Sequence, residues 1–155
     1  MKSPRSPASH GFTLIEVLTV VVLMGILAVI ALPNYWSVVT KAHAANILGD
    51  VRAVQLAYSH FIADDGGRTG NSGWGRVPPG LEEYLPEGFN FSTEIADYRW
   101  IRLRPRASPF GVESAELRVR PQQRFRPELV NVLADMANQT MIVKKRNQIS
   151  FYMVP

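Results

Sequence analysis

Cysteine is absent from this 155-residue chain. No disulfide can staple a loop, and no thiolate can act as nucleophile or metal ligand. Histidine is scarce, and His43 and His60 stand too far apart along one helix to share a metal. No nucleophile–base pairing stands out, so an enzyme is not expected, nor a cofactor or metal. Asp64, Asp65 and Asn71 lack the alternating acidic spacing of an EF-hand calcium loop and read as a helix end followed by a turn. Charge is missing in one place above all. From Phe12 to Leu32 the run is apolar except for one acidic residue, Glu16.

About 20 apolar residues span a bilayer as a helix. A carboxylate within such a segment costs at least about 2.5 kcal/mol and needs a partner or a purpose. A short leader with Lys2 and Arg5 precedes the run. An ordinary secretory signal has a shorter apolar stretch and a cleavage site after it. Here the run is too long and its acid sits near the start, so a cut before the run leaves the helix in the mature protein.

Gly11-Phe12-Thr13-Leu14-Ile15-Glu16 followed by an apolar helix resembles the class III signal of type IV pilins and type II secretion pseudopilins. The resemblance implies that a membrane-embedded prepilin peptidase cuts between Gly11 and Phe12 and that Phe12 is then N-methylated. Glu16 matches the family's acid four positions into the mature chain. Gly25 and Pro33 stand where many members loosen this helix. The resemblance also implies polymerisation with other pilin subunits by an assembly platform and ATPase. The subunit would first sit in the inner membrane, N-terminus cytoplasmic and head extracytoplasmic. It would then join a surface pilus or a periplasmic pseudopilus. The missing cysteines depart from the many pilins that close a C-terminal loop with a disulfide.

Residue chemistry agrees with these roles. Lys2 and Arg5 favour a cytoplasmic leader, and Gly11 lets a protease approach the backbone closely. Cleavage creates an amine at Phe12; the resemblance implies a pair between Glu16 and the Phe12 amine of a neighbouring copy, and since an unpaired carboxylate is penalised in low dielectric, docking in register would be rewarded. The plainer alternative is a Glu held near the helix N-terminus by the macrodipole. Pro33 removes a backbone hydrogen bond and Gly25 weakens the same stretch. Tyr35 and Trp36 suit a membrane interface.

Beyond the membrane, Ser37–Ala63 contains no proline. Ile47, Val51, Val54, Tyr58 and Phe61 recur at helical spacing and predict an amphipathic face that needs a partner surface. With the anchor this makes one helix of about 50 residues, roughly 75 Å long. Residues 66–80 read as a loop with little fixed structure, and Leu81–Pro86 as a short helical turn. Asp97–Arg104 and Glu116–Arg120 alternate as an antiparallel pair with one apolar and one arginine face. A phase shift is expected at Trp100-Ile101, which would put Ile101 and Leu103 on the apolar face. Pro127–Met136 reads as a helix, and residues 140–143 with 149–153 as a closing hairpin. The expected class is α+β: a long N-terminal helix packed on a small antiparallel sheet. The domains are leader 1–11, filament-core helix 12–35, amphipathic continuation 36–63 and head 64–155.

Net charge is +4, and +2 without the leader, by counting. Arg99, Arg102, Arg104, Arg118 and Arg120 crowd the strand region and raise the alternative of DNA contact, with Tyr98 or Trp100 stacking on bases. The competing reading is a solvated sheet face with arginines paired to Glu113, Glu116 and neighbouring subunits. The expected function is a structural subunit of a type IV pilus or pilus-like filament. The alternatives are a type II secretion pseudopilin, a low-copy minor pilin, or a DNA-uptake pilin.

Overall fold

In the computed structural model, which describes residues 12–66, 69–122, 126–137, 142–145 and 147–154, helix α1 (Leu14–Asp65) takes up 52 residues. A 3₁₀ turn (Glu82–Tyr84) follows, then β1 (Ala96–Leu103), β2 (Ser114–Pro121), α2 (Arg126–Met136), β3 (Ile142–Lys145) and β4 (Gln148–Met153). The chain divides into two compact units, residues 1–38 and 39–155. In the first, every described side chain from Phe12 to Val38 is exposed, as befits a helix apolar all round. It is the one described helix long and apolar enough to cross a membrane. Gly25 and Pro33 both lie inside α1.

The second unit forms around the predicted amphipathic face. Ile47, Val51, Val54, Tyr58 and Phe61 are buried, joined by Ala44 and Ala57. Opposite them stands a four-stranded sheet in the order β1-β2-β4-β3, each neighbour antiparallel. The rows Tyr98–Val119–Ile149 and Trp100–Leu117–Phe151 cross β1, β2 and β4 directly, and all six side chains are buried. α2 packs against β2, β3 and β4 and adds Leu129, Val130 and Leu133 to the same core. It links β2 to β3 across β4, so the expected closing hairpin, β3–β4, enters the sheet through its second strand. Residues 140 and 141 lie outside the described residues.

Two expectations are corrected. β1 and β2 pair without interruption from Ala96↔Pro121 to Leu103↔Ser114, so there is no phase shift at Trp100-Ile101. Unbroken period-2 pleating sends Ile101 and Leu103 to the face away from α1 and keeps Arg102 on the side of Trp100. The loop after α1 is also more organised than its glycines suggest. The Ser72 and Gly75 N–H groups donate to the carbonyls of Trp100 and Tyr98 at 3.0 and 2.8 Å, and the Arg102 N–H donates to Asn71 Oδ1 at 2.7 Å. Residues 71–75 thereby cover the free edge of β1, an edge that would otherwise invite pairing with another chain. α1 itself stops at Gly66, whose φ of 71° and N–H bond to the Ile62 carbonyl at 3.1 Å close the last turn.

Candidate functional site

Thr13 caps α1. Its N–H and its Oγ1 both donate to Glu16 Oε2 at 2.8 Å, and the Glu16 N–H donates back to Thr13 Oγ1 at 3.4 Å. This is a capping box: the acid at the third helical position and the threonine at the cap satisfy each other's orphan groups. The signal for it is local, the spacing Thr13-x-x-Glu16 directly before an apolar run. The helix dipole adds to the site's preference for negative charge. Phe12, Ile15, Glu16, Thr19 and Val20 line one open groove on the helix side that carries the carboxylate. Phe12, Leu14 and Ile15 are exposed. Gly11, the other half of the expected cleavage site, and the leader 1–10 lie outside the described residues.

Farther along α1, a Cβ placed on Gly25 meets nothing within 4 Å. Glycine is therefore not required there by packing within the subunit.

The five arginines singled out from sequence do not form one face. Arg99, Arg118 and Arg120 stand on the sheet face away from α1. Arg102 shares the register side of Trp100 and pairs with Glu113, and Arg104 lies beyond the end of β1. Arg118 Nε and Nη2 reach Glu116 at 2.8 and 3.0 Å, and Arg120 Nη2 reaches Asp97 at 3.0 Å. The Glu116 carboxylate, itself nearly buried, holds the Arg118 guanidinium above even its ordinary range. Tyr98 and Trp100 are wholly buried against α1, so neither is available to stack on a base. That correction follows from register: both side chains occupy the core side of an uninterrupted strand. An aromatic that does meet the arginines is one the sequence reading overlooked, Trp74, whose ring lies 4.3 Å from the Arg120 guanidinium.

Comparison with known proteins bears on the N-terminal site. The family model of the prokaryotic N-terminal methylation motif matches residues 6–32. Over 50 residues the chain is 42% identical to fimbrial protein Q of Moraxella bovis, covering 32% of each. Over 61 residues it is 34% identical to type II secretion system core protein G of Klebsiella michiganensis, covering 39% of this chain and 43% of that one. The chain thus spans less than half the length of these two relatives. Over 80 residues it is 35% identical to a type IV narrow pilus major component of Thermus thermophilus, covering 43% of this chain and 69% of that protein. No solved structure matches the chain.

Proposed function

Because this chain belongs to the type IV pilin and type II secretion pseudopilin family, we propose that it is a structural subunit of a pilus or pilus-like filament, processed between Gly11 and Phe12 and polymerised through α1. The observation that carries the reading is the isolated carboxylate of Glu16 at the start of an apolar, exposed helix. In the lone subunit Thr13 satisfies it. In a filament core, the new Phe12 amine of a neighbouring copy, methylated, is the charged partner that Glu16 would take instead. The apolar surface of residues 12–38 is bilayer-facing before assembly and subunit-facing after it.

On this reading the protein waits in the inner membrane with its leader in the cytoplasm and its head outside. Prepilin peptidase, an assembly platform and an ATPase act on it. Gly25 and Pro33 are where α1 would stretch when subunits pack. It acts by assembly, without catalysis. A pseudopilus subunit or a low-copy minor pilin would have the same N-terminal chemistry. DNA contact has less support: Arg118 and Arg120 are already neutralised by Glu116 and Asp97, and Arg102 by Glu113.

The experiment is intact mass and N-terminal peptide analysis of the chain from native membranes and from sheared surface material. Methylated Phe12 in the sheared fraction is expected for a pilus subunit. Methylated Phe12 confined to membranes would favour a pseudopilin or low-copy subunit. An intact Met1 terminus in both fractions would overturn the proposal.

A further inference from the structure

Three residues form one cross-strand row on the sheet face away from α1: Arg99 in β1 stands opposite Arg118 in β2, which stands opposite Ser150 in β4. Like charges directly opposite are destabilising unless compensated. Arg118 has Glu116, and in the next row Arg120 has Asp97 and the ring of Trp74. Among the described residues Arg99 meets no carboxylate, and its Nε is buried without a hydrogen-bond partner. The Ser150 hydroxyl is buried without a hydrogen-bond partner among the described residues, in a side chain 1% exposed. Arg99 is only half-buried as a whole, so its guanidinium is the one cation of the row left for a carboxylate from outside among the described residues. Its surroundings have the make-up of an interface. Trp74 lies on Arg120, Phe110 packs edge-on against Tyr152 at 6.1 Å, and Arg118 and Arg120 are already held by ion pairs, so little of their side-chain freedom is left to lose.

The chain also carries the complementary surface. Between Arg76 and Arg99 there is no lysine or arginine, while Glu82, Glu83, Glu87 and Glu94 are all exposed. None of the four has an ion pair among the described residues. This acidic segment belongs to the other side of the sheet in its own subunit: Tyr84 packs on Phe61 of α1 at 5.6 Å, and Phe89 beside Tyr98. Arg104 and Arg106 are exposed just beyond β1.

We propose that the outer face of the sheet docks the acidic segment 82–94 of a second copy of this chain, with a glutamate carboxylate meeting Arg99. Face and segment are different surfaces, so the contact is heterologous and can propagate from copy to copy instead of closing a pair. The inference rests on reading the chain as a filament subunit. It adds a head-to-head recognition surface to the assembly carried by α1, with charge setting register and partner choice.

The test is sedimentation of the full-length chain in detergent at about 50 mM salt, where exposed charges are weakly screened. Arg99→Glu should weaken self-association at least about tenfold, and the triple variant Glu82→Lys, Glu83→Lys, Glu87→Lys should weaken it similarly. All three glutamates are exposed, so the triple variant keeps the test valid even if Arg99→Glu unfolds. Combining both sets of changes should restore association to within about threefold of the original. Undiminished association in either variant overturns the proposal, as does loss in both without restoration in the combination. N-terminal mass on the same preparations reports processing at Phe12 separately. Failure of the head contact and failure of the filament reading are thereby distinguished.

Discussion

Tyr98 donates its phenolic hydrogen to Asp50 across 2.5 Å, a bond between β1 and α1 that joins residues 48 positions apart. Tyr98 is wholly buried and its ring sits among Phe89 and Phe91, while Tyr58 of α1 meets Trp100 edge-on at 4.9 Å. The polar bond and the aromatic contact both tie the strand that carries Arg99 to the helix, within the shared apolar core.

Removing either should be felt in stability. Tyr98→Phe is expected to cost about 1–2 kcal/mol, since it deletes a hydrogen bond to a charged group from a buried site. Trp100→Ala should cost about 3–5 kcal/mol through the cavity it leaves. Denaturant unfolding of the full-length chain in detergent, followed by circular dichroism, measures both. A Tyr98→Phe variant as stable as the parent would remove the bond from the account.

The same two tyrosines set an alkaline limit. Burial raises the Tyr98 pKa first, and the Asp50 hydrogen bond and charge raise it further. Burial and then the charge of Glu113 raise that of Tyr58. A phenol ordinarily titrates near about 10. The folded protein keeps these protons where the unfolded chain releases them, so their contribution is complete below about pH 10 and drains away as pH rises above it. Melting temperature should therefore fall above about pH 10, and less steeply in Tyr98→Phe. An identical alkaline slope in that variant would count against the assignment.

At the N-terminus the expected losses separate processing from assembly. Glu16→Ala should leave cleavage at Gly11–Phe12 largely intact while reducing chain in sheared filaments at least about tenfold, because the neighbour's amine loses its partner in low dielectric. Thr13→Ala removes only the cap, worth about 1 kcal/mol, and should assemble far better than Glu16→Ala. Quantitative blotting of sheared and membrane fractions decides it. Equal incorporation of Glu16→Ala and the parent would refute the pairing.

Two glycines should behave oppositely. Gly80 has φ of 85°, and a Cβ there would lie 3.1 Å from the Phe61 ring, so Gly80→Ala should destabilise the head by about 1–3 kcal/mol. Gly25→Ala meets open space in an ordinary helix and should strengthen α1 locally by up to about 1 kcal/mol. If Gly25 serves to loosen the helix in a filament, that variant should give filaments of lower extensibility under force, though its monomer is no less stable.

What could be read along the chain was whatever depends on neighbours in sequence. The apolar run, its single acid, the 3.6-residue stripe from Ile47 to Phe61 and the alternation of β2 are local patterns, because helix and strand periodicity are properties of the backbone itself. The motif around Phe12 was legible for the same reason: it is a short, contiguous stretch of chain. What tertiary structure decided was which residues meet. Only strand register put Arg99 beside Arg118 and Ser150, sent Arg102 to the other side with Glu113, and took Tyr98 and Trp100 out of solvent. Only the path of residues 71–75 along β1 brought Trp74 to Arg120. A one-residue change in register exchanges the faces of a strand without altering its sequence pattern, so the faces could not be known until the sheet had closed against the helix.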